Sequence, residues 1–465
     1  MSKLCTLTIA LAAALVGACS LIPAYERPPA PVPAAFPDAL PAAGVAPDAL
    51  AWRDYFADAR LRELIELALA NNRDLRVATL NIERARAQYG IQRAELFPSL
   101  TANGGLTAQR RQPTESAGDG EPVTTRQYTA TVGFAAYELD FFGRVRSLGE
   151  HALEQYLATE EARRSAQISL VAAVSESWLR LAADRERLAL ANGTLTTRHR
   201  SYELTQRSVD LGVASALELN QSRTLLEAAR VDVARYTALV AQDRNALALV
   251  VGAPVPLQLQ PDALSDSLTA VAELPAGVPS EVLTRRPDIL QAERQLRAAN
   301  ANIGAARAAF FPRITLTATA GSASSTLDGL FEAGSGTWSF VPQIVLPIFH
   351  AGQLSANLEV AEVQREITVA QYEKAIQTGF REVADALAER ATLAEQLDAR
   401  RRLVEATAAS FRLSEARYKA GVDSYLGLLD AQRTLYGAEQ ELIAARLSEA
   451  ANRVALYKAL GGGWQ

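Results

Sequence analysis

The sequence predicts a mainly α-helical chain, internally duplicated, in which each half carries two short strands and one very long coiled-coil helix. Three observations lead there. Phrases recur at a nearly fixed offset: "RAELFPSLTA" at 93–102 returns as "RAAFFPRITL" at 307–316, with Pro98 and Pro312 separated by 214 residues, as are Asp74 and Asp288. "LGVASALELNQSRT" at 211–224 and "AGVDSYLGLLDAQRT" at 420–434 repeat one turn-and-helix phrase, with Gly212 and Gly421 separated by 209. Such spacing marks one unit written twice, with a few residues lost. Apolar residues also alternate with polar ones in four short segments and fall at strict sevens in two long ones.

The chain begins with a positive Lys3 and an apolar run too short and small-residued for a membrane span, which reads as an export signal over 1–18. It ends in Val16-Gly17-Ala18-Cys19, which resembles the bacterial lipobox and marks Cys19 for N-terminal acylation. Ser20 rather than aspartate follows, and by the rule for such lipoproteins this favours release to the outer membrane. Two acyl chains would anchor firmly. Cys5 lies within the signal, so the mature chain has one cysteine and no internal disulfide. Residues 19–58 are rich in Pro and Ala and read as an extended, semi-rigid tether.

The first repeat, 59–252, and the second, 284–465, flank a compact connector at 253–283. Leu100, Ala102, Leu106 and Ala108 alternate with Thr101, Asn103 and Thr107; Tyr128, Ala130, Val132 and Phe134 form a second such set. In the other repeat Ile314, Leu316, Ala318 and Ala320 alternate with Arg313, Thr315, Thr317 and Thr319, and Trp338, Phe340, Ile344 and Leu346 follow, interrupted by Pro342. Period two with one apolar and one hydroxyl face is a half-buried strand. The polar, Gly-rich stretches between the members of each pair read as exposed hairpin loops. Four strands cannot stand alone in lipid, because each edge would leave backbone groups unpaired. If they span a membrane, several chains must share one barrel; otherwise they form a small sheet against helices.

Val174, Leu181, Leu188, Leu195, Tyr202 and Val209 fall at sevens in 144–211; Val369, Ile376, Val383, Leu397, Val404, Phe411 and Tyr418 do so in 353–420, with Arg390 interrupting. That spacing keeps an apolar seam towards neighbouring helices. About 68 residues at 1.5 Å each give roughly 100 Å of helix. Gly212 and Gly421 supply left-handed stops, and a second helix returns from each. Ser215 with Glu218 is a capping box; in the second copy Ser424 holds the cap place, Asp423 offers an alternative and Gly427 stands where Glu218 would be.

With 465 residues, 49% hydrophobic, 21% charged, 6% aromatic and a net charge of −5, the chain has no basic block for nucleic acid. No apolar run of eighteen residues follows the signal, which excludes a helical anchor. There is no phosphate loop, no His-Glu-x-x-His pair and no Gly-x-Ser-x-Gly elbow. His151, His199 and His350 are scattered and read as solvated helix or turn residues, and Met1 is the only methionine. The expectation is no enzyme, no metal and no cofactor beyond the acyl chains on Cys19.

The lipobox, the doubled strand pair, "FPSL" and "FFPRITL", "LTRRPDI", "GVASALELNQSRT" and "GVDSYLGLLDAQRTLY" together resemble the TolC/OprM-type (NodT) outer membrane factor lipoproteins over the whole mature chain. The resemblance implies a homotrimer, with four strands per chain making a barrel of about twelve continued by a periplasmic α-helical barrel. It implies a passive gated exit duct in the outer membrane for drugs or other small toxic compounds. The expected partners are a periplasmic adaptor, an inner-membrane transporter of the resistance-nodulation-division type and outer membrane lipid. A type I protein secretion duct shares this architecture; a soluble long-helix scaffold and an independent porin are the other readings weighed. By the same resemblance, Asp430 and Arg433 match the periplasmic constriction, and Gly212, Val213, Ala214, Ser215, Gly421, Val422, Asp423 and Ser424 are the adaptor-contact tips. Some relatives carry a second acid one turn before Asp430; here that place is Gly427, which implies a single acidic ring.

Overall fold

The computed structural model describes residues 20–36, 50–111, 122–265, 269 and 280–463. The signal segment, Cys19, most of the first hairpin loop and much of the 253–283 connector lie outside the described residues. In order, the elements are α1 (Trp52–Tyr55), α2 (Ala59–Asn71), α3 (Arg73–Ala94), β1 (Thr101–Arg111), β2 (Val123–Glu138), α4 (Arg144–Asp210), α5 (Ala216–Val251), α6 (Pro287–Ala308), β3 (Arg313–Ser324), β4 (Gly336–Val345), α7 (Gln353–Lys419) and α8 (Tyr425–Ala459). The helices α4 and α7 run unbroken for 67 residues each. Every heptad residue named above is buried or half-buried. The chain divides into two compact units, each assembled from both halves of the duplication.

One unit contains the sheet. Its order is β1-β2-β3-β4, antiparallel throughout. The register sets Leu106 against Tyr128, Val132 against Ala320, Ala320 against Trp338 and Ala318 against Phe340, so the apolar faces of all four strands coincide. The other face is a lawn of Thr, Ser, Asn and Gln. Alternation alone does not fix this alignment. The strand β2 carries a bulge between Phe134 and Tyr137, where Ala136 adopts φ 53° and its N–H finds the Thr317 hydroxyl at 3.0 Å. Gly133 and Gly321 are required by close approach: a Cβ there would lie 2.1 Å from the carbonyl oxygens of Ala318 and Ala130 respectively. Pro342 does not break β4, where it sits opposite Leu316; β4 is an edge strand, the place in a sheet that tolerates proline. The second hairpin loop, expected to be exposed throughout, folds a single 3-10 turn, Asp328–Phe331, that buries Leu330.

In the same unit the residues after Cys19 form a docked strap rather than a free tether. Glu293 of α6, only 3% exposed, accepts from Tyr25 Oη at 3.1 Å, from Arg27 at 3.1 and 2.7 Å and from Arg297 at 2.8 Å. Burial alone would raise its pKa, but the two guanidinium groups outweigh burial and hold the carboxylate below its ordinary range. Asn300 donates to the Pro23 carbonyl at 2.8 Å, and Gly304 leaves room for Ile22. His151, expected to be solvated, is half-buried, with Nδ1 2.8 Å from the Ala298 carbonyl.

The other unit holds the larger core. Trp52, Tyr55, Phe56, Leu64, Trp178 and Tyr457 are almost wholly buried, Tyr55 and Tyr457 stack at 4.0 Å, and Trp178 donates to the Leu259 carbonyl at 3.0 Å. Arg286 of the "TRRPD" phrase, 7% exposed, binds Asp288, Glu382 and the Ala459 carbonyl, which fixes the C-terminal end of α8. Between α4 and α5 lie two buried carboxyl groups, Asp184 and Asp243. Burial first, and the Asp184 carboxylate second, push Asp243 up to about 6, against the opposing pull of Arg180 and Arg187. A pKa raised in the folded state adds stability that is fully present below the unfolded value and is lost as pH rises through the folded one. Thermal unfolding should therefore shift down by a few degrees between pH 5 and pH 7.5. Asp243→Asn should flatten that slope and raise the midpoint at pH 7.5; an unchanged slope would exclude the pair as its source.

Candidate gate and docking tips

Both helical hairpins end in the same backbone device. Gly212 and Gly421 take φ 75° and 73°, their N–H groups donate to Val209 and Tyr418, and the following Val213 and Val422 donate to Ser208 and Arg417, all at 2.9 Å. This is the Schellman closure, which only a residue without Cβ adopts cheaply. The two tips then diverge. In the first, Ser215 accepts from Glu218 N–H at 3.2 Å while its own N–H donates to the Glu218 carboxylate at 3.1 Å, a complete capping box that starts α5. In the second, Ser424 occupies the cap position without a side-chain bond. Asp423, expected as an alternative cap, instead accepts from Arg417 at 2.6 and 2.8 Å. The ion pair wins because Arg417 offers two parallel N–H donors to the carboxylate. The Arg417 guanidinium also holds the Asp423 carboxyl below its ordinary range.

The tips are apolar as well as tight. Val213 is 79% exposed and Val422 63%, with Leu217 and Leu426 also exposed in the first turn of the returning helices. Ala214 is half-buried. Behind the second tip, Tyr425, Leu428 and Leu429 bury one face of α8 against Leu225, Phe411 and Tyr418. That packing turns the next positions outward. Asp430 and Arg433 are exposed, and Arg433 donates to Asp430 at 2.7 Å within its own helix. An exposed pair of this kind contributes little to stability, so it leaves Asp430 as a surface charge on a well-anchored helix. Gly427, one turn earlier, opens onto empty space.

Contacts across the two hairpins were not legible in the sequence. Tyr436 of α8 donates to Asp232 of α5 at 3.1 Å, and Tyr236 of α5 to Gln440 of α8 at 2.9 Å. Burial, then the Asp232 charge, push the Tyr436 hydroxyl up to about 12, so it remains a donor. These partners lie 204 residues apart, and no local pattern joins them. His199 is exposed beside Glu203, and His350 lies exposed before α7. Among the described residues no cluster of His, Cys, Asp or Glu is arranged for a metal, and no helix is long and apolar enough to cross a membrane. Cys19, the lipidation candidate, lies outside the described residues.

The family model for outer membrane efflux proteins matches residues 64–253 and 278–462. The chain is 52% identical over 463 residues to the toluene efflux pump outer membrane protein TtgC of Pseudomonas putida, covering 98% of this chain and 95% of that one. It is 45% identical to the outer membrane protein OprJ of Pseudomonas aeruginosa, covering 98% and 95%. Among solved structures it is similar to a membrane protein from Pseudomonas aeruginosa, with a TM-score of 0.90 at 44% identity over 96% of this chain and 98% of the other. The open state of the Neisseria gonorrhoeae MtrE outer membrane channel gives 0.88 at 41% identity over 96% and 99%. The family model spans most of the chain and the solved channels match it along nearly its whole length, and the chain belongs to the outer membrane efflux protein family.

Proposed function

We propose that the chain is the passive, gated exit duct of a tripartite efflux pump. In this reading three copies close one twelve-stranded barrel in the outer membrane, acyl chains on Cys19 hold each copy to the lipid, and the helices line a periplasmic tunnel. The tips Gly212–Ser215 and Gly421–Ser424 meet a periplasmic adaptor, which couples the duct to an inner-membrane transporter of the resistance-nodulation-division type. The observation that carries the reading is the sheet: one face apolar, one hydroxyl-rich, and both outer strands, β1 and β4, unpaired at their far edges among the described residues. Such a sheet is stable in lipid only when closed by further strands. The cargo is small and organic, a reading supported by relatives named for toluene and antibiotic efflux. The chain supplies no energy of its own, so the driving force belongs to its partner.

Asp430 is the gate residue of this account, with three copies forming one acidic ring that favours cations. In planar bilayers Asp430→Asn should move the cation preference of the channel towards that of bulk electrolyte; unchanged selectivity would remove Asp430 from the conduction path. The tips are tested separately. Val213→Asp with Val422→Asp should abolish efflux in cells while the trimer still assembles, because a desolvated charge costs several kcal/mol at an apolar contact. Normal efflux from that variant would reject docking through these tips.

A further inference from the structure

Within the helical unit, some three turns behind the second tip, α4, α7 and α8 line an open cleft of about 320 Å³. Its walls include Leu190, Phe411 and Leu435, and its margin Gly193, where a Cβ would meet nothing within 4 Å. Arg198 lines the same space although it is only 6% exposed. One of its terminal nitrogens donates to the Leu225 carbonyl at 3.0 Å, and the guanidinium lies 5.2 Å from the centre of the Tyr436 ring. No carboxylate pairs with it among the described residues. The acid that could do so, Asp232, is already held by the Tyr436 hydroxyl at 3.1 Å and by Arg235 at 3.3 Å. A largely buried guanidinium with one hydrogen bond and no ion pair is costly to hold; Asp232 offsets its burial only in part, and an anion in the cleft would compensate it further. The remaining ionisable group on the wall is Glu439, which burial pushes above its ordinary range and which opposes an anion whenever it is ionised.

We propose that this cleft is a binding site for a compact organic anion, a carboxylate or sulfonate on an aromatic or aliphatic body, with the head group on Arg198 and the body against Leu190, Phe411 and Leu435. Its size is at the small end of ligand pockets. Because its walls come from both hairpins, a bound anion ties them together at the level where Tyr436 and Asp232 already meet. The site is distinct from Asp430 and from the tips, and its binding chemistry does not depend on the duct function.

The test is a fluorine NMR titration of the purified, detergent-solubilised full chain with 4-(trifluoromethyl)benzoate, using 4-(trifluoromethyl)benzyl alcohol as the neutral control. The expected result is saturable binding of the benzoate only. Arg198→Gln should weaken it about tenfold or more, the size of one charged hydrogen-bonded contact. Gly193→Leu, at an exposed helix position where leucine is the better helix former, should block it by filling the cleft. Glu439→Gln should tighten it and flatten its dependence on pH. Absence of saturable binding, equal binding of the neutral control, or affinity unchanged in both Gly193→Leu and Arg198→Gln would overturn the proposal.

Discussion

Backbone hydrogen bonding at the edges of the four-stranded sheet is the constraint on which the rest of the structure depends. The strands pair internally from β1 to β4 and leave two rows of N–H and C=O groups that nothing in the described residues satisfies. Each such group left in hydrocarbon costs several kcal/mol. The apolar face, with Trp338 78% exposed and Ile344 68%, would be equally costly in water as a continuous patch. Both problems have one solution, closure with the strands of other copies and immersion in lipid.

Apolar residues at sevens keep α4 and α7 against their neighbours without a break, so each hairpin can end in a turn whose shape is set locally by a left-handed glycine. The two tips are then held differently on the same backbone. The first is held by the Ser215–Glu218 capping box, and the second by the Arg417–Asp423 pair. Anchoring of α8 through Tyr425, Leu428 and Leu429 keeps Asp430 facing outward. Hydrogen bonds from Tyr436 and Tyr236 tie the two hairpins together, so relative movement of the hairpins must break them.

Much of this was legible in the sequence because its causes are local. Period two marked the strands, period seven the long helices, and Gly212 and Gly421 the turns. Alternation specifies a face but not a register, and the bulge at Ala136, after which Tyr137 pairs with Leu316, carries no glycine or proline to announce it. At the second tip Ser424 keeps the cap place, but Asp423, a good cap by type, is taken by a guanidinium that stands six residues earlier, across the turn. The Pro- and Ala-rich composition gives no hint of the strap, because Glu293 lies 268 and 266 residues from its partners Tyr25 and Arg27. For the candidate site, the sequence carried Asp430, Arg433 and the tips; the cross-hairpin contacts arise only when distant helices meet.

The central claim is that the sheet closes between copies. Its most direct test is the mass of the protein extracted in detergent from separated outer membranes, with the bound detergent subtracted. The account predicts about three chain masses in the outer membrane fraction. A single chain mass, or protein left in the soluble fraction, would contradict it.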